Sequence, residues 1–262
     1  MAYVDPVLSR DALIDLALVG WFVALAIAEA ISARHGRTRE SGDDGRLLTN
    51  FGLTALVILA SGLLPLATIA SAQVGVGIGM AHHLHLPWVP IFALTLLGQT
   101  FAAYWVHRWM HASPLLWRVH RVHHADTSVD VSTSLRNHPL ELVLTIPASA
   151  LVILILGAPI SVVVAVQSFL VAGAIWEHAA LVLPKPVDRV LTLLFVTPRL
   201  HRLHHSPDRR NHDSNYGNSL TVWDRLFGTL NDHQERLQVG LTRQRAAPNH
   251  LLEQICSPLH TI

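Results

Sequence analysis

Three groups of histidines define the chemistry open to this chain. His107 and His111, in HRWMH, stand four residues apart, while His120, His123 and His124, in HRVHH, share their spacing with His201, His204 and His205, in HRLHH. Residues three and four apart meet on one side of a helix, so each group projects its imidazoles together. His138, in RNHPLE, and His178, in WEH, are further candidates. Neutral imidazole suits zinc, copper, iron and nickel, and ligand type alone does not choose among them. Their number says more. A structural zinc is satisfied by four ligands and a hydrolytic zinc by three and a water, so this surplus of imidazoles favours a site for two metal ions. The single cysteine, Cys256, excludes thiolate metal sites and an internal disulfide. Oxidation of an unactivated C–H bond by dioxygen needs a redox-active metal, which zinc is not; iron is the best chemical fit.

The elements that must carry these groups belong to a membrane. Of 262 residues, 51% are apolar and only 14% charged, against about 25% charged in an ordinary soluble domain. A bilayer core takes about 20 mostly apolar residues per helix. Runs meeting that measure are expected at about 13–31, at 48–72 followed by a Gly-rich connection, at 88–106, and in a hairpin at 142–176 turning on Gly157-Ala158-Pro159. The N-terminus lacks a basic start and a cleavage site, so its first apolar run reads as a retained span. Of 19 Lys and Arg residues, four lie in 34–46, four in 108–136 and ten from Lys185 onward. With spans alternating, these basic segments fall on one face, which the positive-inside rule makes cytoplasmic. The histidine segments, 107–141 and 177–262, fall on that same face. The expected fold class is therefore all-α: one integral membrane domain, 1–262, a helical bundle with a cytoplasmic histidine-rich helical cap.

Other features receive no role. His82, His83 and His85 lie in the loop assigned to the opposite side, and His35, His233, His250 and His260 are isolated in polar surroundings. Gly75, Gly77 and Gly79 look like part of a nucleotide fingerprint, but no strand precedes them. A net charge of +1 gives no case for nucleic acid.

The residues resemble the fatty acid hydroxylase and sterol desaturase superfamily, whose signature is HxxxH, HxxHH and a later HxxHH. RNHPLE, TPRLHRLHHS (197–206) and HDSNYGNSLTVWDRLFGT (212–229) extend the likeness over roughly residues 95–230. The resemblance implies a membrane oxygenase with two non-haem iron ions, a cytoplasmic histidine cage and a hydrophobic channel for a lipid, sterol or other hydrophobic substrate. Dioxygen is the implied co-substrate and hydroxylation or desaturation the outcome. The implied ligands are His107, His111, His120, His123, His124, His178, His201, His204 and His205. Where some members carry one more histidine, this chain has Ala174, so His138 is a candidate ligand or neighbour of ligands. His212, Asp126, Asp213, Asn215 and Asp224 are candidates to bind metal or to accept N–H bonds from ligating rings. No flavin or nicotinamide motif is present, so electrons are expected from a separate redox carrier protein. Arg199, Arg202, Arg209 and Arg210 offer it a basic face, though positive-inside orientation explains the same arginines and is preferred. A histidine-lined metal transporter is the rival reading, weakened because the boxes begin where spans end and sit among arginines. A zinc-dependent lipid hydrolase is weaker still, since neither HExxH nor a Ser-His-Asp pattern is present.

Overall fold

A computed structural model describes residues 10–33, 45–60, 64–233, 239–241 and 249–260. Helices α1 (Arg10–Ala33), α2 (Arg46–Ala60), α3 (Leu64–Ile78) and the single turn α4 (Met80–His83) are followed by α5 (Trp88–Ala112) and α6 (Pro114–His124). Two 3-10 turns, Val131–Leu135 and Pro139–Glu141, lead into α7 (Leu142–Leu156) and α8 (Ile160–His178). Beyond them come α9 (Lys185–Leu191), α10 (Pro198–His204), α11 (Arg209–His212), α12 (Val222–Phe227) and α13 (Leu251–Cys256). Among the described residues there is no strand, only an isolated bridge between Phe195 and Leu220.

Four helical stretches are long and apolar enough to cross a bilayer: Ala12–Ser32, Trp88–Ala112, Pro139–Leu156 and Ile160–His178. Where no water reaches the backbone, a helix is the form that satisfies every peptide group within one segment. That is why the β-branched run of α8 is helical despite its modest propensity. The fold is the expected one, a membrane helical bundle with a histidine-rich cap at one end. Ala72, Ile91, Ile153, Val162, Val163 and Val166 pack its centre.

Two expectations are corrected. The apolar run at 48–72 is carried by α2 and α3, of 15 residues each, and neither is among the four stretches long enough to cross. The Gly-rich stretch is no flexible connection: α3 runs through Gly75 and Gly77 to Ile78, and Gly79 caps α4. These glycines let backbones meet. Gly157, at φ +66° in the α7–α8 turn, lies against Gly75 and Gly79, and a Cβ on Gly75 would come within 3.2 Å of its Cα. Gly157→Ala would add αL strain of about 1–2 kcal/mol and drive its methyl into the α3 backbone. The variant is expected to melt several degrees below the wild type in detergent, checked by circular dichroism.

Ser113 alone joins α5 to α6, ending one helix and capping the next through Oγ, which accepts the Leu116 N–H. Pro114 at the first helical position suits a helix start. The third box starts similarly at Pro198, with Thr197 Oγ1 donating to Asp188 at 2.7 Å and Arg199 Nε to the same carboxylate at 2.6 Å. Trp176 Nε1 donates to the Val196 carbonyl at 3.1 Å, tying the end of α8 to the residues leading into α10. The C-terminal segment docks beneath the cap. Asn249 accepts the Thr49 hydroxyl at 2.8 Å, and Arg121 Nε donates to Ser257 Oγ at 3.0 Å.

Candidate metal centre

The helical repeat decides how the boxes divide. At 3.6 residues per turn, positions i and i+4 are about 40° apart around the axis while i+3 lies about 100° from i+4. His120 and His124 accordingly join His107, His111 and His204 in one cluster, and His123 turns away to join His178, His201 and His205 in a second. In the third box the sharing is reversed, with His201 and His205 in the second cluster and His204 in the first. Within each cluster the candidate donor atoms lie within 4.8 Å of one another. The first cluster draws on α5, α6 and α10, and the second on α6, α8, α10 and His205 at its C-terminal end.

Backbone carbonyls orient four of the rings. Nδ1 of His107 meets the Tyr216 carbonyl at 2.9 Å, His123 that of Arg136 at 3.1 Å, His178 that of Ala174 at 2.7 Å and His204 that of Ser214 at 2.7 Å. A carbonyl accepts only, so each Nδ1 carries the proton and each Nε2 keeps a bare lone pair. Yet His123 and His178 bring Nε2 atoms to 3.1 Å, and His107 and His204 bring theirs to 2.9 Å. Two lone pairs cannot hydrogen-bond, and facing each other they repel. A cation between them removes the conflict: two nitrogens held at right angles by bonds of about 2.1 Å stand about 3.0 Å apart. Likewise, His111, His120 and His124 have no hydrogen-bond partner on either buried ring nitrogen, an arrangement that calls for a bound species. Burial, reinforced by neighbouring histidines, depresses the pKa values of His123, His124, His201, His204 and His205 well below the usual imidazole range. They are neutral at pH 7, as metal ligands must be.

The remaining candidates sit elsewhere. His138 caps the turn at 139–141: Nδ1 accepts the Leu140 N–H at 3.1 Å and Nε2 donates to the Ile255 carbonyl at 3.1 Å. Both nitrogens are committed to backbone, so the ring has no lone pair left for a metal. Asp126 bonds none of the rings. Its carboxylate instead takes Arg46 NH1 at 3.2 Å, Asn50 Nδ2 at 3.1 Å and Thr133 Oγ1 at 2.8 Å, in a buried network with Arg136, whose NH1 donates to Asn50 Oδ1 at 2.9 Å. Asp224 also supports indirectly, accepting the Tyr216 and Gly217 N–H groups at 2.8 and 2.7 Å. Asn215, at φ +52°, pins the same loop to Leu200 and Asn231. Asp213 Oδ1 lies 3.6 Å from His111 Nδ1 and equally from His212 Nε2. At Ala174 the backbone carbonyl is what meets His178. His82, His83, His85, His233, His250 and His260 belong to neither cluster, and His35 lies outside the described residues.

Two acidic residues without a place in the sequence reading reach the site. Glu141 Oε2 stands 3.5 Å from His120 Nδ1, and Glu177 accepts the Ser219 N–H at 3.1 Å. Both line a cavity of about 480 Å³ that touches His107, His120, His123, His178 and His201 and then rises between α5, α7 and α8 past Ala103, Ile146, Ala148 and Leu170. That volume is in the range of small-molecule sites. RNHPLE contained a signal for Glu141; the orienting carbonyls had none.

Asp224→Ala would free two backbone N–H groups and loosen the carbonyl that holds His107. Metal affinity is expected to fall about 10–100-fold, measurable by competition with a chelator.

The fold and the paired clusters define a class, and comparison names it. The profile of the fatty acid hydroxylase family matches residues 92–229. The chain belongs to that family. An ornithine lipid hydroxylase, OlsE, of Rhizobium tropici is 31% identical over 222 residues, covering 81% of this chain and 63% of its own. Alkylglycerol monooxygenase of Danio rerio is 35% identical over 164 residues, covering 62% of this chain and 35% of its own. The human alkylglycerol monooxygenase is 33% identical over 158 residues, covering 60% of this chain and 34% of its own. The chain thus spans about a third of the alkylglycerol monooxygenases and less than two thirds of OlsE. No solved structure matches.

Proposed function

We propose that this protein is a membrane lipid oxygenase whose nine clustered histidines hold two iron ions and whose cavity presents an alkyl chain to them. The observation carrying this reading is the pair of Nε2–Nε2 approaches at 2.9 and 3.1 Å, between rings whose Nδ1 protons are already engaged. When bound, the irons supply the activation of dioxygen that no side chain can provide. The protein's own residues do the rest. Carbonyls of Ala174, Arg136, Ser214 and Tyr216 fix tautomer and ring direction, and the cavity wall excludes water while holding one stretch of chain beside the histidines. Names of relatives that hydroxylate lipids support hydroxylation over desaturation. A single unit, residues 1–262, carries bundle and cap; positive charge orients the cap to the cytoplasm, where a separate redox carrier delivers electrons.

Purified protein is expected to carry about two irons per chain and to consume oxygen only with a lipid substrate, which lipid profiles of cells with and without the gene would identify. Tight zinc with no oxygen consumption after iron loading under reducing conditions would refute the reading. Ala148→Phe, which fills the cavity away from every ligand, is expected to keep the iron and lower substrate-dependent oxygen uptake at least tenfold.

A further inference from the structure

Nine clustered imidazoles, nearly all buried, raise the question of how a hydrated ion reaches them. The cavity reaches them between α5, α7 and α8 and is the expected place of a substrate chain. A second approach is a corner where His111, His212 and the exposed Asp213 form a third group able to hold a metal, with His111 shared with the first cluster. Asp213 Oδ1 lies 3.6 Å from both His111 Nδ1 and His212 Nε2. Donors around a tetrahedral ion with bonds of about 2.1 Å stand about 3.4 Å apart, so the spacing fits one ion. Side-chain exposure falls along the row, from 36% at Asp213 to 10% at His212 and 1% at His111. The His111 ring, with both nitrogens unpartnered, lies 4.7 Å from His204 and 4.8 Å from His124, centroid to centroid. Arg209 Nε, 3.4 Å from the other Asp213 oxygen, is on an 84% exposed side chain; such a surface pair is weak and yields to a divalent ion.

We propose that Asp213, His212 and His111 form a transient loading site, through which iron(II) exchanges water for protein ligands one at a time before entering the cage. His111 cannot serve both places for two ions at once as a neutral ring with one lone pair, so the corner empties as the first cluster fills. This rests on the two-iron reading above and adds the path by which those ions arrive.

Trp117 supplies a reporter, with its ring 4.7 Å from His212, 5.1 Å from His111 and 5.3 Å from His124. Metal-free protein in detergent would be mixed anaerobically with iron(II), and Trp117 quenching followed with time, Trp117→Phe identifying the signal. Final metal content would be measured after gel filtration. In the double variant His212→Asn, Asp213→Asn, loading is expected to slow at least tenfold while final content equals that of the wild type. Asp213→Asn alone, at a partly exposed position, is expected to slow loading at least threefold and guards against misfolding of the double variant. Asp208→Asn removes a nearby exposed charge and should leave the rate unchanged. An unaltered rate in the double variant, a fall in final content, or equal slowing by Asp208→Asn would overturn the loading site. The wild type's final content is a separate reading: a value well under two ions per chain would overturn the binuclear centre while the comparison of rates still stood.

Discussion

His123→Ala and His204→Ala proteins are expected to lose substrate-dependent oxygen uptake by on the order of a thousandfold or more and to bind less iron. Each variant removes one member of a lone-pair couple, His123 from His178 and His204 from His107, so each disables a different cluster. Iron measured by emission spectrometry should fall by about one ion per chain in either variant and by both in the double variant. His138→Ala is the informative contrast. Its ring caps a turn and bonds the Ile255 carbonyl, so it should lower the melting temperature, as loss of a cap worth about 1 kcal/mol does, and leave the iron in place. Loss of iron in His138→Ala, or its retention in the His123→Ala, His204→Ala double variant, would contradict this division of roles.

The second large effect is expected at a residue that touches no candidate ligand. Asp126, fully buried, receives Arg46, Asn50 and Thr133, and Asp130 also pairs with Arg46. Asp126→Ala leaves a buried guanidinium short of a partner, which costs about 3–5 kcal/mol when a buried pair is broken. Asn50 also holds Arg136, whose carbonyl orients His123, so the disturbance should reach the second cluster. The expected result is a melting temperature lowered by roughly 10 °C or more, together with weaker iron retention against a chelator. Asp126→Asn, which keeps the acceptor for Asn50 or Thr133, should do less harm. Equal stability of Asp126→Ala and the wild type would show that the network carries no load.

The nine histidines that cluster were legible because helix geometry is local: HxxxH and HxxHH state which rings share a face before any tertiary contact is known. The assignment of rings to clusters was not legible. It depends on how α6 and α10 face each other, and the exchange of His123 against His204 follows from that packing. Acidic side chains were the expected ring partners, yet main-chain carbonyls perform the task, and a carbonyl has no letter in the sequence. Asp126, Asn215 and Asp224, expected to meet the metal or the rings, instead each act on backbone or on another side chain. Charge-free runs showed the membrane helices, while the glycines of α3 misled because small residues mark tight helix contacts in a bilayer as readily as they mark loops.

The docking of the C-terminal segment carries a consequence for biosynthesis. Asn249 meets Thr49 across 200 positions, Ser257 meets Arg121 across 136, and Ile255 receives the His138 ring across 117. The helix that presents His120, His123 and His124 therefore lacks its buried Arg121 anchor until residue 257 has left the ribosome. Insertion into the bilayer is therefore expected to precede completion of the cap, and loading of the proposed metal centre to follow translation.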